Sequence, residues 1–204
     1  MTNSATANSG NFLDWDFLTP QPTQDSELLK QLGFIPGLKE ILMLRQVHAL
    51  EHATVWVLSE TEGTQVDNES LGGLSTDQGF YLYGNVNVVE VQRAVKTALS
   101  RLKAGEWNLA VHPRCGTNLS VSMVLTAGFS LGAYLLLPRN LVAQLIGLGV
   151  AATTAAQLAP DLGMHAQKYL TTSIPFNLEV REIGSGSDFW GRKANFVRVR
   201  WQET

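Results

Sequence analysis

"CGTNLSVSMVLTAGFSLGAYLLLP", residues 115–138, and "LVAQLIGLGVAATTAAQLAP", residues 141–160, contain no Asp, Glu, Lys or Arg. Only Arg139 and Asn140 separate them. Each run is close to the roughly 20 apolar residues that cross a hydrocarbon core as a helix. One such run suits a buried helix of a soluble protein. Two in succession, joined by "PRN", predict a tight antiparallel transmembrane hairpin. Gly128 and Gly132 carry the small-xxx-small spacing that lets membrane helices approach closely, and the second run is rich in Gly, Ala and Thr.

Charge gives the hairpin an orientation. Arg93, Lys96, Arg101, Lys103 and Arg114 precede it, Lys168 and Arg181 follow it, and the turn carries only Arg139. The positive-inside rule then places both termini on the cytoplasmic or stromal side of a two-pass protein. The chain as a whole has 204 residues and a net charge of −3, which argues against a nucleic-acid partner. A single cysteine leaves no intramolecular disulfide and fits a reducing compartment or a thiol kept for metal chemistry.

The expected fold is α+β, mainly helical, with the membrane hairpin and a small C-terminal β-hairpin. Residues 1–24 lack the basic start and apolar core of a signal peptide and are expected to form a disordered tail. Residues 25–114 form an α/β region on the cytoplasmic face, 115–160 the hairpin, and 161–204 a C-terminal segment. Within the first region, helices are expected over 26–33 and about 37–60, the second with apolar residues at Leu38, Ile41, Leu42, Leu44, Val47 and Leu50. "TEGTQVDNES" reads as a polar loop, "LGGLSTDQGFYLYGNV" as a turn followed by one short strand, and "NVVEVQRAVKTALSRLKAGE" as an amphipathic helix. "WNLAVHP" is expected to be extended. "DLGMHAQKYLTTS" either continues the second membrane helix or bends out of it. "FNLEVREI" and "ANFVRVRW" alternate as paired strands. Their basic residues Arg192, Lys193, Arg198 and Arg200 suit a solvated strand face or contact with lipid head groups.

Chemistry concentrates in two segments. "RQVHALEHATV", residues 45–55, puts His48 and His52 four residues apart, hence on one face of a helix, with Glu51 at its edge. Two imidazoles one turn apart can chelate a divalent ion, and "HALEH" fits H-x-x-E-H, the inverted zinc-peptidase pattern. The flanking residues are apolar, so a carboxylate and two imidazoles among them need a partner. "VHPRCGTNLSV", residues 111–121, adds His112 and Cys115 at H-x-x-C spacing in a turn immediately before the first membrane helix. Unpaired N–H groups at that helix start favour a thiolate. Three of four histidines and the sole cysteine thus lie in two segments. The expected ligands are His48, His52 and His112, with Cys115 either the fourth ligand or a thiol beside the ion, and zinc as the metal. Glu51 is the candidate general base and Arg114 the candidate oxyanion stabiliser. His165 and Asp161 follow the hairpin and return to the same side; each is a further ligand or a solvated interfacial residue.

Together the two motifs resemble a bacterial membrane-protein family described as metal-dependent enzymes, whose members pair a helix of the "GAEHK" type, preceded by His, with "HPRCGT" at a transmembrane segment. The counterparts here are His48 to His52 and His112 to Thr117. Ala53 stands where that family usually has Lys, and Asn118-Leu119 depart from it after the shared block. The blocks "RQVHALEHATV" and "DFWGRKANFVRVRW" resemble a cyanobacterial and plastid branch over most of the chain. The resemblance implies a metal-dependent membrane protein; the motif chemistry, metal-activated water attack, makes the leading expectation a hydrolase acting on a peptide or another membrane-delivered substrate. The alternative is a non-enzymatic assembly or scaffold factor of a photosynthetic membrane, with a closed, structural His/His/His/Cys site. A third reading has no metal, with the histidines paired to Glu51 and backbone.

Overall fold

A computed structural model describes residues 20–61 and 70–202. The expected N-terminal tail and most of the polar loop "TEGTQVDNES" lie outside the described residues. The fold is α+β. In chain order it comprises α1 (Gln24–Leu32), α2 (Leu38–Thr61), β1 (Gly72–Thr76), β2 (Gly79–Tyr83), α3 (Val88–Lys103), α4 (Gly116–Leu136), α5 (Leu141–Ala166), β3 (Leu178–Ser187) and β4 (Lys193–Trp201).

The strands form one antiparallel sheet in the order β1-β2-β4-β3. "LGGLSTDQGFYLYGNV" is therefore a two-stranded hairpin instead of a turn and one strand. Gly79 makes the turn with φ +144, and a side chain there would collide with the Val197 carbonyl of β4. Only glycine combines that backbone with that approach. β2 pairs with β4 across 117 residues of sequence, Phe80 opposite Val197, so the C-terminal hairpin completes a sheet begun before the two long apolar helices.

α2 runs through the middle of the region formed by α1, α3 and the sheet. Val47, Ala49, Leu50, Ala53, Val55, Val57 and Leu58 are all buried, most of them on successive turns and on every side. It packs on α3, whose apolar stripe Val91, Ala94, Val95, Ala98 and Leu102 is buried. Asn87 caps α3 by accepting from the Glu90 N–H at 2.9 Å, and Glu90 answers by accepting from the Asn87 N–H at 3.3 Å. This reciprocal pair stops the helix fraying at its start. Phe80, Leu82, Val197 and Val199 close the core from the sheet. Phe80→Ala is expected to cost about 3–5 kcal/mol, the usual cost of emptying a fully buried aromatic site; chemical denaturation of the purified protein measures it. Two of the apolar residues in the α2 pattern, Ile41 and Leu44, are 57% and 40% exposed. They lie in the first two turns, ahead of the point where α3 and the sheet cover the helix. "WNLA", expected to be extended, is a short 3-10 turn over Trp107–Ala110.

α4 and α5 form the hairpin. Asn140 caps α5 by accepting from the Ala143 N–H at 2.8 Å. Gln144 donates to the Leu137 and Pro138 carbonyls at 3.3 and 3.2 Å, which closes the turn. α5 continues past Pro160 to Ala166 and then through a π turn, Gln167–Thr171. Both helices are long and apolar enough to cross a membrane, 21 residues for α4 and 31 for α5 with its π turn. α4 has no buried residue. The close-approach residues differ from those read in the sequence. Gly128 and Gly132 face open space. The contact is carried by Gly147, Ala151, Ala155, Ala159 and Gly163 of α5, spaced four apart and buried. A Cβ at Gly147 would strike Leu137, and one at Gly163 would strike Asn118.

Candidate metal centre

α2 enters the ligand cluster at Arg45. Its guanidinium donates to the Tyr169 and Thr172 carbonyls at 3.2 and 3.1 Å, and its own carbonyl accepts from the Ser173 N–H at 3.1 Å. These bonds clamp α2 to the chain leaving α5. Gln46 strengthens the clamp from the buried side, donating to Asp25 at 2.6 Å and to Asn177 at 3.1 Å.

One turn on, the His48 and His52 rings lie with centroids 4.3 Å apart and planes tilted by 58°. Each imidazole is oriented by a backbone carbonyl. His48 Nδ1 lies 3.1 Å from the Thr171 oxygen, and His52 Nδ1 lies 2.7 Å from the Ala110 oxygen. A carbonyl only accepts, so both Nδ1 atoms carry a proton, and it is Nε2 of each ring that is left to act as a metal donor. This second contact fixes tautomer and ring plane in metal-ligating histidines. His48 Nε2 lies 3.2 Å from Cys115 Sγ. The ligand atoms of His48, His52 and Cys115 are all within 4.8 Å of one another. A tetrahedral zinc site separates sulfur and nitrogen donors by roughly 3.5 Å, so this group can hold a metal ion with small adjustments.

Cys115 is buried and is the N-cap of α4, its sulfur accepting from the Thr117 N–H at 3.4 Å. Burial raises the thiol pKa; the hydrogen bond and charge of His52 and the Thr117 N–H outweigh it, and the net shift is downward. The cap position thus does for the thiolate what it does for any anion at a helix start.

His112 lies beside the trio and outside it. Its ring is 5.7 Å from that of His52 and 4.9 Å from that of Trp56. Its Nδ1 accepts from the Arg114 N–H at 3.3 Å, which occupies one of its two nitrogens. Its backbone N–H donates to Gln167 Oε1 at 2.8 Å. Gln167 donates in turn to Asn118 Oδ1 at 2.6 Å, and Asn118 donates to the Pro113 carbonyl at 2.7 Å. The turn of "HPRC" is thus held by polar side chains from the start of α4 and the end of α5. Gly163→Ala is expected to push Asn118 away, weaken this hold and cost about 1–3 kcal/mol by overpacking. Thermal melts and zinc titration of the variant would register both effects.

Glu51 faces the same cleft from the other edge of the helix. It is 7% exposed. Burial raises its pKa, while the Ser75 hydroxyl, donating at 2.5 Å, and the charge of His48 lower it; the net shift is upward. Gly73 of β1 makes room for the carboxylate, because a side chain there would occupy its position. Ser75 and Gly73 carry no motif in the sequence. They reach Glu51 only because β1 packs on α2.

The cleft has a volume of about 670 Å³ and takes in His48, Glu51, His52, His112, Arg114 and Cys115. Arg114 is exposed at its wall. Its mouth includes the apolar Ile41, Leu44 and Leu170. His165 lies outside it, exposed on α5 with Nδ1 2.7 Å from the Asp161 carbonyl.

An uncharacterised protein from the cyanobacterium Picosynechococcus is 52% identical over 197 residues, covering 94% of this chain and 96% of that protein. No solved structure matches the chain. A family model described as a domain of unknown function, DUF6391, matches residues 43–183, a span that holds both motif segments, the hairpin and the first part of β3, and the chain therefore belongs to the DUF6391 family.

Proposed function

We propose that this chain is a two-pass membrane protein with a zinc-dependent hydrolytic site at the head of its hairpin. The observation that carries the reading is the orientation of the two imidazoles. Each spends its Nδ1 proton on a carbonyl; His48 turns Nε2 to within 3.2 Å of the Cys115 sulfur, and the donor atoms of both rings and the sulfur lie within 4.8 Å of one another, in a cleft that also takes in a buried carboxylate. Three protein donors beside an open cavity leave a coordination position for substrate or water, whereas a structural zinc site closes with four.

A divalent ion held there supplies Lewis acidity and a more acidic water. Glu51 accepts a proton from the attacking water; its raised pKa makes it a stronger base than a solvated carboxylate. Ser75 and Gly73 keep its carboxylate on the cleft side of β1. Arg114, at the cleft wall, offers charge to the developing oxyanion. His112 acts through position, anchoring the turn that carries Arg114 and Cys115. The resemblance of the two motifs to metal-dependent membrane enzymes points the same way.

The membrane reading rests on α4, which is apolar over 21 residues and buries none of them. Both termini then face the cytoplasm or stroma, with the 138–140 turn across the bilayer. Arg139→Cys, which spares the Asn140 cap, is expected to react with a membrane-impermeant thiol reagent only from the side opposite the termini. Labelling from the terminus side would overturn the topology.

Elemental analysis of the detergent-purified protein tests the centre itself. One zinc per chain, removed by chelator and restored by titration, is the expected result. Protein that stays metal-free after zinc titration would remove the site.

A further inference from the structure

Exposed apolar residues gather at one end of α2. Phe34 is 79% exposed, Ile35 42%, Ile41 57% and Leu44 40%. Leu170 and Tyr169, at the end of α5, are 71% and 44% exposed. A solvated surface would seldom hold so continuous a set.

The contacts of α2 say which way this end points. Toward its C-terminal half, Trp56 and His52 bond to Val111 and Ala110, several residues before the hairpin begins. His48 reaches Cys115, the cap of α4, and Thr171, the last residue of the second span. Arg45 reaches Tyr169, inside that span. Each step toward the N-terminus therefore moves along the hairpin toward its apolar body. Leu44 and, a turn further in that direction, Ile41 line the same cleft as Leu170, all three exposed. Gly37, with φ +83, then turns the chain back through Ile35 and Phe34 into α1. Lys39 and Lys168 are exposed beside the patch, and Lys168 sits 5.3 Å over the Tyr169 ring. An apolar ridge edged by Lys and Tyr has the composition of a membrane-interface segment.

We propose that the ridge of Phe34, Ile35, Ile41 and Leu44 is seated in the lipid interface beside the hairpin. The partner is the bilayer itself. The mouth of the metal cleft then opens at the level of the head groups, so a substrate reaches His48, His52 and Cys115 from the membrane. This rests on the membrane reading of α4 and α5 and is independent of the metal.

Photocrosslinking of the full chain in liposomes of phosphatidylcholine and phosphatidylglycerol tests it. Benzoylphenylalanine replaces Phe34 or Ile41, and adducts are read by intact mass. Leu131, 59% exposed within the first span, is the lipid-facing reference. Glu60, at the opposite end of α2, is the solvent reference. Lipid adducts at 34, 41 and 131, and none at 60, are expected. Lipid adducts at 131 alone, or chain-to-chain adducts at 34 and 41, overturn the ridge assignment and leave the hairpin standing. No lipid adduct at any position, 131 included, overturns the hairpin and the ridge with it. Lipid adducts at 60 as strong as those at 34 overturn the one-sided seating.

Discussion

His48→Ala is expected to reduce bound zinc from one per chain to near zero at micromolar free metal. His48 contributes one of three donors, and its Nε2 lies 3.2 Å from Cys115 Sγ. Two remaining donors cannot hold an ion in a hydrolytic geometry against water. The loss reaches stability as well, because a ligand bound at 100 times its Kd stabilises the folded state by about 2.7 kcal/mol. Zinc should therefore raise the melting temperature of the wild type and leave that of His48→Ala unchanged. The substitution also removes the bond to Thr171, which is why the comparison must be made with and without metal for each protein. The helix clamp at Arg45 and Gln46 stays, so the metal-free variant should fold. Full zinc occupancy in this variant would eliminate His48 as a ligand and the trio with it.

Glu51→Gln should have the opposite profile, retaining metal and losing turnover. Glu51 is outside the three-donor group and has its own partner, the Ser75 hydroxyl. Gln preserves size and an accepting oxygen for Ser75, so the packing against Gly73 survives. What disappears is the proton acceptor. Loss of a positioned general base usually costs roughly 10²–10⁴-fold in rate, and that range is expected for any ester or peptide the wild type hydrolyses. The change also removes a buried carboxylate whose ionised form is disfavoured by desolvation, so the metal-free variant should be at least as stable as the wild type near neutral pH. Zinc released by Glu51→Gln would instead make Glu51 a ligand and favour a closed, structural centre. The two variants together separate binding from catalysis before the natural substrate is in hand.

Much of this protein was legible in its residues. Charge-free runs at 115–138 and 141–160 announce a helical hairpin because a helix of that composition has few other places to go. The i, i+4 spacing of His48 and His52 places them on one face in any α-helix, and Cys115 follows as the cap of the next. The alternation in "ANFVRVRW" specifies a strand, with Val197 and Val199 buried.

Other features depend on contacts between distant segments, and no local pattern encodes those. Gly128 and Gly132 have the spacing of a packing motif yet face open space, while Gly147 and Gly163 make the contact; which side of each helix is used depends on how both rotate about their axes. Ile41 and Leu44 continue the apolar periodicity of α2 past the end of the elements that cover it. His112 belongs to a convincing H-x-x-C, but the turn that brings Cys115 to His48 gives one His112 nitrogen to the Arg114 N–H. The carbonyls of Ala110 and Thr171, which hold Nδ1 of His52 and His48, belong to backbone that any residue could supply. Side-chain type and spacing determined which donors this chain can offer; only the folded backbone decided which lone pairs face one another.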